Sequence, residues 1–299
     1  MLGRFLVSIN LEISGSTQVY GLIGDPVDHS LSPAIQNAAF RSVGLNAVYL
    51  VFPVRKEELR SAIQGLKSLK VRGFNVTTPH KKAVIRYLDD VETEAAEIGS
   101  INTVKNEEGI LTGFSTDGSG VLNAMKAARV VPDGRSVLLM GAGGAGRVIA
   151  SALAERGCSL KIANRTGSNA KRLAKSLYRK FGRKVEVIPL SKKNLEEFVN
   201  QADILLNTSS MGMDGKHNPP IDKKWIRRDH WVVDIVYRPV RTKLLRDAAL
   251  AGARTINGLD MLVNQGACSF TLWTGKKAPI GEMRRAISKK LDSENATCR

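Results

Sequence analysis

At 299 residues, with 43% hydrophobic and 24% charged residues, the chain suits two globular cores of about 150 residues each and excludes a disordered or collagen-like polymer. Its 45 basic against 28 acidic residues give a net charge of +17, which attracts polyanions without choosing between nucleic acid, a phosphorylated cofactor and a small carboxylate. Three scattered cysteines, Cys158, Cys268 and Cys298, exclude a disulfide framework. These and His29, His80, His217 and His230 show no ligand spacing, so no metal is expected.

The first residues, MLGRFLVSINLEI, lack a signal-peptide pattern. The longest uncharged run, from Met261 to Gly275, is too short and too polar for the ~20 apolar residues of a membrane span. A cytoplasmic protein with no membrane partner is expected. Strand-like runs then alternate with helix-like ones: strand 19–23, helix 34–40, strand 47–52, a helix from Glu57, and strand 73–76. That alternation predicts parallel βαβ units. The pattern restarts with helix 118–128, strand 136–140, helix 147–155 and strand 160–163. Helix 170–181 places Leu173, Leu177 and Phe181 on one face, and strands 185–188, 204–207 and 231–235 follow. The second half therefore reads as a doubly wound sheet of its own.

In that half, SVLLMGAGGAGRVIA sets Gly141, Gly143 and Gly146 as G-x-G-x-x-G between a hydrophobic strand and a helix. The first glycine permits a tight turn, the second lets backbone approach a pyrophosphate, and the third lets helix pack on strand, so a dinucleotide is expected. The next strand ends in Asn164, Arg165 and Thr166, where an NAD enzyme usually places an acid. A carboxylate would repel a 2′-phosphate, whereas a guanidinium and a hydroxyl donate to one, so NADP(H) is favoured. Between Arg165 and Lys193 ten Lys or Arg face one acid, Glu186, and this block adds a positive field around the same phosphate, although most of its lysines read as a solvated helix face.

In the first half, GDPVDHSLSP holds Ser30 and Ser32 two apart, so an extended segment would turn both hydroxyls to one side, towards a carboxylate or polyol. Ser32 also reads as a helix N-cap with Pro33 at the first helical position. GFNVTTPHK brings Asn75, Thr77 and Lys81 together after a short strand, although as plain sequence Lys81 is a surface lysine.

The segments GDPVDHSLSP, NVTTPHK, GSINTV, STDG, GAGGAG, NRT, NTSSMGM, DIVYRP and NGLDMLVNQGA occur in the order and spacing of shikimate dehydrogenases, and the chain resembles that family from about Val19 to Gln265. The resemblance implies an α/β fold of two domains. One is an N-terminal substrate-binding domain, 1–116 plus the returning C-terminal helices 259–299, and the other is a Rossmann-type NADP-binding domain, 117–258. It implies reversible NADPH-dependent reduction of 3-dehydroshikimate to shikimate in aromatic amino-acid (chorismate) biosynthesis, with catalysis in an interdomain cleft. Lys81 would be the catalytic acid and base, paired with Asp117. Ser30 and Ser32 would bind the substrate carboxylate, and Asn75, Thr77, Asn102, Asp117 and Gln265 the ring hydroxyls, with Tyr237 by the substrate. Gly141, Ala142, Gly143, Gly144 and Ala145 would cradle the pyrophosphate, Asn164, Arg165 and Thr166 the 2′-phosphate, with Ile235 and Gly258 near the nicotinamide.

The sequence departs from the family pattern in two places. Ser115 stands where Asn usually precedes the Thr-Asp pair, and Ser168 and Asn169 stand where a further basic residue often follows, with Lys171 or Arg172 as substitutes. Two alternatives compete: a quinate/shikimate dehydrogenase using NAD, against which Arg165 and Thr166 argue, and a non-catalytic metabolite-sensing regulator, which would need neither Lys81 nor Asp117. No base-reading motif is present, so no nucleic-acid partner is expected, and a monomer or homodimer is.

Overall fold

The computed structural model describes residues 13–297, so the segment 1–12 and Cys298 lie outside the described residues. The chain divides into two compact units. One holds the described residues up to Glu92, Ile101–Phe114 and the chain from Gly266 on; the other holds Thr93–Ser100 and Ser115–Gln265.

The first unit is built on a mixed sheet of β1 (Gln18–Gly24), β2 (Ala47–Pro53), β3 (Gly73–Val76), β4 (Asp90–Val91), β5 (Thr103–Glu107) and β6 (Ile110–Phe114), in the order β2-β1-β3-β5-β6-β4. Helices α1 (Ser32–Ser42) and α2 (Leu59–Ser68) connect the first three strands, which are parallel as the alternation predicts. The sequence pattern missed the antiparallel hairpin β5–β6. Its two-residue turn puts Glu108 at φ 52° and Gly109 at φ 89°, the two positive values of a type I′ turn. Glu in place of the usual Asn or Asp concealed the signal. Residues from Gly266 on return to this unit as the end of α9 (Gly258–Thr274) and α10 (Ile280–Thr297), the latter packing on α1. Phe270 stacks 5.7 Å from Phe40, Trp273 lies 5.3 Å from Tyr20, and the Trp273 indole N–H donates to the Val104 carbonyl at 2.9 Å.

The second unit holds α3 (Thr93–Ile98), α4 (Asp117–Ala127), β7 (Ser136–Met140), α5 (Gly144–Glu155), β8 (Ser159–Asn164), α6 (Gly167–Phe181), β9 (Glu186–Pro189), α7 (Lys192–Gln201), β10 (Ile204–Asn207), β11 (Trp231–Asp234), α8 (Lys243–Leu250), β12 (Arg254–Ile256) and the start of α9. The strand order is β9-β8-β7-β10-β11-β12 with every neighbouring pair parallel, the doubly wound order expected for a dinucleotide-binding sheet. Because helices cover both faces, β7 is apolar after Ser136. Val137 and Leu139 pack with α4, α5 and α6, while Leu138 and Met140 pack with α7 and α8.

The units differ from the expected segments 1–116 plus 259–299 and 117–258 in three places, each with a packing cause. Ser115 and Thr116 lead into α4, the Gly120 N–H bonding the Thr116 carbonyl at 2.9 Å. The first turns of α9 join the second unit because a Cβ on Gly120 would lie 2.6 Å from that of Gln265, so α4 and α9 touch backbone to backbone. Helix α3 packs on α5. The expected N-cap at Ser32 is also displaced: the cap position is Leu31, in αR conformation with no side-chain cap bond, and the Ser32 N–H instead bonds the Ser30 hydroxyl at 3.2 Å. The segment around Ser30 and Ser32 is thus a turn, not an extended run. Among the described residues no helix is long and apolar enough to cross a membrane, and no group of three His, Cys, Asp or Glu could hold a metal.

Burial pushes the Cys158 thiol up to about 11, with Asp133 adding to the shift, and its Sγ–H donates to the Pro132 carbonyl at 3.0 Å. An alkylating reagent at about pH 8 should therefore leave Cys158 unmodified in the native protein and label it on denaturation. Peptide mass mapping checks this, and rapid native labelling of Cys158 would contradict the packing.

Candidate active site

In the first unit the chemistry gathers where β1, β2 and β3 end, the carboxyl edge at which parallel sheets place their ligands. Three loops are pinned together there. The Val54 N–H donates to the Gly24 carbonyl at 2.9 Å and the Asp25 N–H to the Thr78 carbonyl at 3.0 Å. The buried His80 ring reaches the Val54 carbonyl at 2.6 Å, and because a carbonyl only accepts, Nε2 carries the proton. His80 is thereby the anchor of the loop that carries Lys81. The half-buried Lys81 is held from its other side by its own carbonyl, which accepts from the Ile101 N–H at 2.8 Å. Thr77 is half-buried on the same loop, its N–H bonding the Ile23 carbonyl at 3.0 Å.

Behind this edge lies a buried polar cluster. The Asn75 amide accepts from the Tyr49 hydroxyl at 2.7 Å and donates towards the Asn102 carbonyl, the Thr103 hydroxyl and the Ser269 hydroxyl at 3.0–3.1 Å. Its two N–H bonds meet three acceptors, while its oxygen, which accepts from Tyr49, has a second lone pair for a further donor. Asn102 is 3% exposed, and its side-chain oxygen accepts from Thr103 at 3.2 Å. Burial lifts the Tyr49 phenol far above its ordinary range, opposed by a hydrogen bond with Ser32, which links the Ser30–Ser32 turn to Asn75. Sequence reasoning missed Tyr49, Thr103 and Ser269. Tyr49 carried a signal, since a tyrosine in a buried strand needs a partner for its hydroxyl.

The second unit builds its site around the glycine turn. Gly141 adopts φ +116°, and the Thr208 hydroxyl donates to the carbonyls of Met140 and Gly141 at 3.1 and 3.2 Å. A Cβ on Gly146 would lie 2.6 Å from the Gly141 carbonyl and 2.8 Å from the Thr208 hydroxyl, so the third glycine lets α5 seat on the sheet. Gly143 is different: a Cβ there meets nothing within 4 Å, and the residue is exposed at the N-terminus of α5 beside exposed Gly144 and half-buried Ala145. That bare helix end, with no acid in its first turn, presents free N–H groups and a favourable dipole to an anion. Buried Ala142 donates its N–H to the Asn164 side-chain oxygen at 3.2 Å, and the Asn164 amide donates to the Thr166 carbonyl at 2.9 Å. Asn164 thus ties the turn to the next loop, while Arg165 and Thr166 stand exposed at the uncapped, acid-free N-terminus of α6.

Most of the basic block is the solvated helix face the sequence suggests, and only its start lies near Arg165. Arg179 and Lys180 occupy the last turn of α6, roughly 20 Å along the helix from Thr166, beyond a screening length of about 8 Å. Arg172 donates to the Asn169 side chain, Lys180 pairs with Glu97 at 2.6 Å, and Lys192 pairs with Asp222 at 2.9 Å.

At the end of β11, fully buried Asp234 accepts from Asn207 at 2.9 Å, the Thr242 hydroxyl at 2.6 Å and the Val236 N–H at 3.0 Å. Burial raises its carboxyl above the ordinary range, opposed by these donors. The cluster fixes the start of the loop carrying half-buried Ile235 and Tyr237, and burial also lifts the Tyr237 phenol, opposed by Arg238. Gly258 is buried against that loop: a Cβ there would lie 2.4 Å from the Ile235 carbonyl. Asp117, 4% exposed, opens α4 beside Thr116, whose hydroxyl donates to the Gln265 side chain at 3.4 Å. Lys81 belongs to the first unit, and Asp117, Tyr237 and Gln265 belong to the second.

Three family models match in chain order: shikimate dehydrogenase substrate binding domain over 22–104, shikimate/quinate 5-dehydrogenase over 125–235, and shikimate 5′-dehydrogenase C-terminal domain over 258–287. A shikimate dehydrogenase (NADP(+)) of Moorella thermoacetica is 45% identical over 287 residues, covering 95% of this chain and 97% of its own. The chain belongs to the shikimate dehydrogenase family. Among solved family members, a shikimate dehydrogenase in complex with NADP+ superposes with a TM-score of 0.87 at 40% identity, covering 93% of this chain and 97% of its own. The Thermus thermophilus enzyme, in complex with NADP(H) and shikimate, superposes with a TM-score of 0.83 at 36% identity, covering 91% and 99%.

The two glycines should respond differently to substitution. Gly146→Val should destabilise the fold by about 1–3 kcal/mol or more through overpacking, read as a drop in Tm. Gly143→Val should keep its Tm and lose dinucleotide affinity by about tenfold or more, because only a ligand competes for that space. Unchanged affinity in a folded Gly143→Val protein would remove the turn from the site.

Proposed function

We propose that this chain is a shikimate dehydrogenase that reversibly reduces the ring ketone of 3-dehydroshikimate to the alcohol of shikimate with NADPH, serving chorismate and aromatic amino-acid biosynthesis. The observation that carries the reading is Lys81, fixed on a loop clamped by His80 at the carboxyl edge of β1–β3, next to a buried cluster of hydroxyls and amides. The first unit is the substrate-binding unit and the second binds NADP(H). The residues present fit that cofactor: the bare end of α5 suits a pyrophosphate, and Arg165 and Thr166 at the acid-free end of α6 suit a 2′-phosphate. NADPH, when bound, supplies the hydride.

The chain's own residues supply the rest. As the ketone becomes an alcohol its oxygen gains negative charge, and the Lys81 ammonium donates the proton that neutralises it. In the reverse direction the neutral amine takes that proton from the hydroxyl. Ser30 and Ser32 bind the substrate carboxylate from a turn that their own hydrogen bond holds in shape. Thr77 and Asn102 contact ring hydroxyls, as do Asp117 and Gln265, with Tyr237 at the substrate. Asn75 accepts from a ring hydroxyl with the second lone pair of its amide oxygen and orients this set through Asn102 and Tyr49. Gly141, Ala142, Gly143, Gly144 and Ala145 hold the pyrophosphate, and Ile235 and Gly258 border the nicotinamide. Asn164 shapes the 2′-phosphate seat from behind.

Lys81→Ala should lower kcat by about 10²–10⁴-fold with a much smaller change in KM for shikimate. Lys81→Arg should not restore it in the oxidation direction, since a guanidinium keeps its proton. An alanine variant retaining more than half of wild-type kcat would refute the role.

A further inference from the structure

One cavity in the second unit is used by none of this chemistry. It has a volume of about 420 Å³ and lies between α3, α5 and α6. Ile98, Leu173 and Leu177 give it an apolar lining, and Arg147, Arg172, Arg179 and Lys180 bring four cations to it. The register is that of facing helices. Arg147 and Ser151 stand one turn apart on α5, as do Arg172 and Ser176 on α6, with Arg179 a further turn on.

Among the described residues Glu97 is the one acid lining it, and its carboxylate is engaged by Lys180 at 2.6 Å. Three guanidinium groups remain, and Arg172 donates to Asn169 as well. Ser151 is the second observation: it is 3% exposed, lines the cavity, and its hydroxyl has no hydrogen-bond partner. A buried hydroxyl left unpaired costs about 1–3 kcal/mol, a cost a bound acceptor would remove.

We propose that this cavity binds a small phosphate-bearing molecule at a site separate from the glycine turn. Three forked guanidinium donors and two hydroxyls outnumber what one carboxylate accepts and match the oxygens of a phosphoryl group. The apolar lining beneath the cations suits the carbon body of a phosphate ester, and the volume suits a small ligand. Ser151 lies eight residues beyond Gly143, roughly 12 Å along α5, with Arg147 between them at four residues from Gly143.

The test is calorimetric titration of inorganic phosphate, in chloride buffer, into protein already saturated with NADP+. Saturable binding is expected. Arg179→Glu should weaken it by about tenfold or more. Ser151→Ala should weaken it while leaving the Tm without phosphate unchanged or higher, an outcome a purely structural serine would not give. A sugar phosphate binding more tightly than inorganic phosphate supports an ester as the ligand. The proposal is overturned if no saturable heat appears, if phosphate binds only when NADP+ is absent, or if Arg179→Glu binds as the wild type does.

Discussion

The second unit depends on how closely two pieces of backbone approach where β7 becomes α5. Gly141, Gly146 and Thr208 leave no room for a side chain at either glycine, so the helix seats directly on the sheet with its first N–H groups beyond the strand end. Gly143 meets no protein atom where its side chain would be, so the same turn is closed towards the core and open towards a ligand. The remainder of the unit positions this seat. Asn164 ties it to the end of β8, and the parallel order β9-β8-β7-β10-β11-β12 delivers the loops after β8 and β11 to the same edge.

The first unit meets the same requirement with side chains. Its strands also run parallel where the site forms, and the ends of β1, β2 and β3 are held by backbone bonds and by the imidazole of His80. The Asn75 amide shows how a buried polar cluster can be both costly and useful. With both its N–H bonds and one lone pair of its oxygen engaged, it imposes one orientation on Ser32, Tyr49, Asn102 and Thr103, and a single deletion within it would leave a buried group unpaired.

Most of this was legible in the sequence for identifiable reasons. Strands buried on both faces read as apolar runs, here 137–140 and 204–206, so β7 and β10 fall where the pattern places them, and the glycine spacing marks its turn because Gly141 and Gly146 answer steric needs of the fold. The hairpin at Glu108–Gly109 escaped because its turn uses an uncommon residue at positive φ, and Tyr49 escaped because an aromatic in a strand reads as core until its hydroxyl's partner is known. The internal bonds of Asn75 and Asn164 could not be read either. A sequence shows that an amide is available but not that neighbours from 27 or 22 residues away have already taken it. Unit boundaries inside α9 and before α4 depend on the contact between Gly120 and Gln265, which no local pattern reveals.

Choice of nucleotide joins these strands of evidence, because an exposed guanidinium and a helix N-terminus free of acids favour one extra phosphate at the end of β8. The decisive measurement is the specificity constant for shikimate oxidation with NADP+ and with NAD+, followed through formation of the reduced nicotinamide. Turnover favouring NADP+ by about tenfold or more is predicted from the charged contacts to that phosphate. Equal or faster turnover with NAD+, or none with either nucleotide, would contradict it.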